Sequence, residues 1–272
     1  MARLFVYGCS FSASEGSING WSLILKDLLN IEMKNFAVGG ASSEYAMAKF
    51  ESSVRNNEIN DDDIIIMQLS SVGRIHLQFQ NKYPSTAAQF NHEVPRDNPQ
   101  YDWWKWNRSH LEWLMANTDL DLLRTNREAY VHIMKSYAEA YPKRTILVLE
   151  NCIQEQIFPI KNTPNNFLKP KFDINQVAIN EIDNKNFDDF VKFTQYDFRD
   201  NHLCDPNNKI LAAIIYESIQ NKYVYNFTYD KFQQNIISRI DTLPQYFDYV
   251  NRGLLTYVEW RESTLARNLT KI

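Results

Sequence analysis

The chain is poor in cysteine: three in 272 residues, at positions 9, 152 and 204. An odd number so widely spaced makes no disulfide framework and reads as free thiols in a reducing compartment. No Cys-x-x-Cys or His-x-x-x-His spacing occurs, so no metal is expected. No apolar run approaches the roughly 20 residues that a membrane helix needs. No secretory leader is read at the start, because Arg3-Leu4-Phe5-Val6-Tyr7 already has the character of a core strand. A protein made and kept in the cytoplasm, with no membrane partner, is the expectation. A formal net charge of -4 and a pI near 5.8 lack the basic excess of a dedicated nucleic-acid binder. Also missing is a Gly-rich loop with a lysine to cradle phosphates, and no cofactor is expected. Internal repeats and low-complexity tracts are absent as well.

What is present is ample material for a core, with 44% hydrophobic and 14% aromatic residues. Leu4–Tyr7 reads as a short buried strand ending at Gly8, and Trp21–Leu29 has helical spacing. Met33–Phe36 suggests a second strand before Gly39-Gly40. From Ser42 the pattern predicts a helix to about Asn56, with Ser42 or Ser43 as cap and Glu44 in its first turn. Ile64-Ile65-Ile66-Met67-Gln68-Leu69 is the clearest central strand, its near-continuous apolar run suiting a parallel strand covered on both faces. A long amphipathic helix over 124–141, a strand over Thr145–Glu150 and a helix over Pro206–Gln220 follow.

Strands alternating with helices predict a three-layer α/β/α sandwich with a parallel, flavodoxin-like sheet. Residues 1–225 would form this domain, with insertions near 76–123 and 155–198, the second expected as an irregular excursion. Residues 226–272 would be a helical extension, with helices around 228–240 and 244–268. Its apolar spacing suits packing on the domain or on a partner, including a second copy of the chain.

In open parallel sheets ligands bind at the carboxyl ends of the strands. The first strand leads into Gly8-Cys9-Ser10-Phe11-Ser12 and the second into Gly39-Gly40-Ala41-Ser42-Ser43. The third leads into Ser70-Ser71-Val72-Gly73-Arg74 and the fourth into Asn151-Cys152. Asp200-Asn201-His202 opens the helix at 206. Serines at strand ends commonly cap helices, so each loop taken alone is ordinary; either Ser10 is such a cap, or it is a nucleophile.

The blocks GCSFS, NFAVGGASSEY, DIIIMQLSSVGR and DNHLCDPNNKILA occur in that order. Together they resemble the four sequence blocks of the SGNH (GDSL-like) hydrolases, especially members that open with Gly-Cys-Ser. The resemblance spans roughly residues 3–222. It implies Ser10 as nucleophile, His202 as general base, and the backbone N–H groups of Ser10 and Gly40 as oxyanion donors. Those roles make chemical sense. A serine hydroxyl needs a base to take its proton during attack. A neutral imidazole does this near neutral pH. A carboxylate on its other nitrogen fixes the tautomer.

Two positions depart from the family pattern. The residue three before His202 is Arg199 rather than aspartate, so the orienting acid is Asp200, with Asp197 as the alternative. The oxyanion asparagine of the third block falls on Val72, leaving Gln68, Ser70, Ser71 or Arg74 to substitute, Gln68 and Ser71 foremost. Cys9 is expected to turn away from the site, and Ser12 and Ser14 to act as caps or rim. Trp103, Trp104 and Trp106, with Tyr101 and Trp113, could stack on a sugar at the rim or anchor the insertion as a satellite core.

The expected function is a serine esterase acting on a small O-acyl ester through a Ser-His-Asp triad and an acyl-enzyme. A small-molecule or carbohydrate ester, with acetyl as the acyl group, is the expected substrate. The rival expectation is a catalytically degenerate binding or assembly protein on the same fold.

Overall fold

The structure, a computed structural model, describes residues 2–13, 20–39, 41–70, 77–79, 83–85, 119–151, 160–181 and 203–235. Its centre is a five-stranded parallel sheet built from β1 (Arg3–Tyr7), β2 (Glu32–Asn35), β3 (Ile64–Leu69), β6 (Thr145–Glu150) and β7 (Phe167–Leu168). The spatial order is β2-β1-β3-β6-β7. A separate antiparallel hairpin, β4 (Leu77–Phe79) and β5 (Tyr83–Ser85), stands outside this sheet. The helices are α1 (Ser10–Ala13), α2 (Trp21–Leu29), α3 (Ser43–Arg55), α4 (Leu120–Ala140), α5 (Ile174–Asn180) and α6 (Asp205–Asn221).

Side-chain alternation along the strands divides the core into two layers. Leu4, Val6, Ile64, Ile66, Leu147 and Leu149 pack with Trp21 and Leu25 of α2 and Leu211 and Ile215 of α6. Phe5, Tyr7, Ile65, Met67, Ile146 and Val148 pack with Phe50 of α3 and Met134 and Ala138 of α4. With helices on both faces, every residue of β3 and of β6 is buried, which is why these strands are nearly continuous apolar runs. The protein is therefore a three-layer α/β/α sandwich with flavodoxin-like order. Asp63, fully buried, fastens the entry of β3 to that of β1, accepting from the backbone N–H and guanidinium of Arg3, each at 2.8 Å.

The helix boundaries follow local chemistry. Ser42 caps α3 by accepting from the Tyr45 N–H at 3.3 Å, with Glu44 in the first turn and Arg55 in the last, complementing the helix dipole. Asp119 caps α4 by accepting from the N–H groups of Asp121 and Leu122. That cap starts α4 four residues earlier than its apolar spacing predicts.

Three expectations change. The excursion over 155–198 contains a strand and a helix among its described residues, β7 and α5. Asn166 anchors β7: its Nδ2 donates to the carbonyls of Ala138, Tyr141 and Arg144 at the end of α4. A strand of two residues has no periodicity to read. Next, the helix expected over 228–240 does not form at its start. Tyr229–Lys231 is one 3-10 turn, and residues 232–235 are irregular. Here Phe227, Tyr229 and Phe232 all reach Phe172, with ring centroids 5.4, 5.6 and 5.2 Å away, a spacing one helical face does not provide. Asn207 meanwhile exchanges hydrogen bonds with the backbone of Gln233. Residues 226–235 thus share the core of the domain, while 236–272 and the helix expected over 244–268 lie outside the described residues. Lastly, the first insertion ends by residue 119, where α4 is capped.

Tyr7 sits in the α3/α4 layer with its hydroxyl buried close to Ser53. Burial pushes its phenol well above the ordinary range, and burial raises Tyr130 and Tyr137 as well. A raised folded-state value means the tyrosine contributes stability below its unfolded value of about 10, lost as pH rises beyond that. Tyr7→Phe is expected to flatten the fall in stability above about pH 10. Parallel urea titrations of the two proteins across that range check this.

Candidate active site at the carboxyl edge of the sheet

The chain passes from β1 to β2 on one side and then to β3 on the other, so the strand order switches beside β1. Such a switch opens a crevice at the strands' carboxyl ends, where α/β proteins bind ligands. Ser10 stands there, half-buried, as the first residue of α1. The residue before the helix is Cys9, whose carbonyl accepts from the N–H groups of Ser12 and Ala13 at 2.9 and 3.0 Å. A capping serine would occupy that preceding position, so Ser10 is not the cap of this turn.

Around Ser10 lies a buried amide network. The side-chain carbonyl of Gln68 accepts from the Cys9 N–H at 3.1 Å, the Ser12 hydroxyl at 2.8 Å and the Cys9 thiol at 3.4 Å. The Gln68 Nε2 donates to the Asn151 side-chain carbonyl and, at 3.2 Å, to Cys9 Sγ. Asn151 Nδ2 donates to the same sulfur at 3.3 Å. Gln68 and Cys9 are fully buried and Asn151 nearly so. The amide of Gln68, an oxyanion candidate in the sequence, therefore spends both N–H bonds inside the fold. Ser12, expected at the rim or as a cap, is instead 1% exposed and part of this network.

The loop after β2 is drawn to the same place. Asn35 Nδ2 donates to the carbonyls of Ser12 and Ala13 at 2.7 and 3.3 Å, closing the far end of α1. Val38 N–H bonds the Gly8 carbonyl, and the Ser70 hydroxyl donates to the Ala41 carbonyl at 2.7 Å. Gly40 itself lies outside the described residues, but its neighbours are held against the ends of β1 and β3.

From α6 comes a second set of ties. Trp21 donates its indole N–H to the Phe11 carbonyl at 2.7 Å and its backbone N–H to Asn208 Oδ1 at 3.1 Å. Asn208 Nδ2 in turn donates to the Leu203 carbonyl at 2.8 Å. Two side chains thus connect the residue after Ser10 with the residue after His202. The α6 N-terminus lacks a capping side chain at Cys204. The fully buried carboxylate of Glu181 serves instead, accepting from Cys204 N–H and Asn207 Nδ2. His202, Asp200, Asp197, Ser71, Val72, Arg74, Ser14, Cys152 and the tryptophans at 103, 104 and 106 lie outside the described residues.

On the opposite face of the sheet, Glu150 at the end of β6 meets Lys169 Nζ at 2.5 Å and Arg127 Nη2 at 3.3 Å, all largely buried. This ion cluster ties α4 to β6 and to the segment after β7. Among the described residues no group of three His, Cys, Asp or Glu side chains could hold a metal ion, and no helix is long and apolar enough to cross a membrane.

Sequence reasoning missed the amides of Asn35 and Asn208, placed Asn151 only at a strand end, and read Gln68 as an oxyanion donor rather than as the centre of a buried network. One signal was present: Gln68 is the only polar residue within IIIMQL. Comparison with protein-family models, with curated proteins and with solved structures finds no match to this chain.

Gly8 shows how tight the site is. A Cβ there would stand 2.7 Å from Gln68 Oε1 and 2.8 Å from Gln68 Cβ. Gly8→Ala is expected to destabilise the fold by about 1–3 kcal/mol, read as a lower urea midpoint. An unchanged midpoint would mean that Gln68 does not occupy this place.

Proposed function

We propose that the protein is a serine hydrolase of the SGNH type. Ser10 attacks an ester carbonyl, with His202 as base and then acid, and Asp200 orients the imidazole. The backbone N–H groups of Ser10 and Gly40 face the developing oxyanion. The ester C–O bond breaks as His202 returns the proton to the leaving alcohol, and water deprotonated by His202 then attacks the acyl-enzyme, freeing the acid and restoring Ser10. The observation that carries this reading is the chain of hydrogen bonds Phe11–Trp21–Asn208–Leu203. It ties Phe11 and Leu203, the sequence neighbours of Ser10 and His202, into one hydrogen-bonded chain, which is the arrangement a Ser10–His202 pair would need. A small O-acyl ester, with acetyl on a carbohydrate first, is the substrate class proposed, supported by the tryptophans of the insertion. A cytoplasmic location belongs to the same proposal, supported by the free thiols of Cys9 and Cys204.

The second reading is a degenerate member that binds or assembles without turning over. Gln68 favours it, because an amide with both N–H bonds committed is no third oxyanion donor. One donor fewer costs about 3–4 kcal/mol of transition-state stabilisation where it has been measured.

Incubation with p-nitrophenyl acetate and with a fluorophosphonate probe separates the two. The hydrolase reading expects labelling and turnover that Ser10→Ala abolishes, leaving at most background hydrolysis. Equal signals from both proteins, or none from the wild type, would favour the degenerate reading.

A further inference from the structure

We infer that Gln68 is a positioning residue for Ser10, an assignment that rests on the hydrolase reading above. The side-chain carbonyl of Gln68 takes the Cys9 N–H before Ser10 and the Ser12 hydroxyl after it. One oxygen atom thus holds the chain on both sides of the nucleophile. The amide is itself held, because Asn151 accepts from its Nε2 and shares Cys9 Sγ with it. Gly8 lets the two chains approach closely enough for this.

Only an amide completes the arrangement. A methionine fills similar volume but leaves the Cys9 N–H, the Ser12 hydroxyl and the Asn151 carbonyl without their partner. A glutamate keeps the acceptor, cannot donate to Asn151 or to Cys9 Sγ, and brings charge into a neutral, fully buried place. A one-turn helix such as α1 does not hold its own geometry, since its nucleus is costly and little propagation follows. The path of the chain through Ser10 is therefore fixed from outside α1, with Gln68 holding the residues on either side of it. Gln68 touches no substrate; it acts through the turn.

The test compares wild type with Gln68→Met and Ser12→Ala by three measurements: Ser10 labelling rate with the fluorophosphonate, peptide-level hydrogen exchange, and the urea midpoint. Gln68→Met is expected to slow labelling by about 10- to 100-fold, the scale of a nucleophile displaced by about an ångström. Exchange should accelerate over residues 8–13 while α2 and α6 stay protected. With an ester substrate, kcat should fall and KM stay unchanged. Ser12→Ala removes a single donor and should give a smaller change in the same direction, which serves if Gln68→Met does not fold. A folded Gln68→Met protein that labels at the wild-type rate overturns the assignment. Wild type that does not label at Ser10 overturns the hydrolase reading. In that case the exchange measurement alone decides whether Gln68 sets the turn.

Discussion

The arrangement of the sheet edge depends on one buried oxygen, the side-chain carbonyl of Gln68. Where β1 ends at Tyr7, the parallel ladder stops and the chain must turn beneath its own helices. The Cys9 N–H is then deep in the protein without a strand partner, a situation that costs about 1–3 kcal/mol if left unresolved. Gln68, on the central strand, resolves it and in doing so becomes fully buried itself. A buried amide is tolerable only when its whole hydrogen-bonding capacity is met, and here the oxygen accepts from Cys9 and Ser12 while the nitrogen donates to Asn151 and Cys9. Each member is therefore a condition for the others.

Strand parity then sorts the chemistry. Gln68 continues the series Ile64, Ile66 and so faces the α2/α6 layer, where α6 begins just after His202. Glu150 continues the series Ile146, Val148 and faces the α3/α4 layer, where Arg127 and Lys169 meet it. The carboxyl edge thereby carries buried amides around Cys9 and the Glu181 carboxylate at the start of α6 on one side, and the Glu150 ion cluster on the other. Among the described residues, the network around Ser10 contains no carboxylate.

Much of the frame was legible because it rests on local pattern. The apolar run IIIMQL announces a strand covered on both faces, and Ser42 announces the start of α3. The parallel sheet follows from the alternation of such elements. The site was less legible, for a physical reason: its contacts join residues far apart in the chain. Gln68 meets Cys9 across 59 positions, Asn151 meets Cys9 across 142, and Trp21 meets Asn208 across 187. Periodicity and capping rules report only on near neighbours, so a lone polar residue in an apolar strand marks a tertiary partner without naming it. The same holds for Asn166 and Asn207, whose amides replace missing secondary structure around β7 and residues 226–235.

The turn at Ser10 is fastened from three directions. Gln68 of β3 holds Cys9 and Ser12, Asn35 of β2 closes the carbonyls of Ser12 and Ala13, and Trp21 of α2 takes the carbonyl of Phe11. Residues on both sides of Ser10 are thus held, which the proposed nucleophile would need, because attack depends on where one oxygen points. Those ties leave Cys9 sealed among amides and Ser12 committed to Gln68, so among the described hydroxyl and thiol side chains of this turn only Ser10 retains partial exposure.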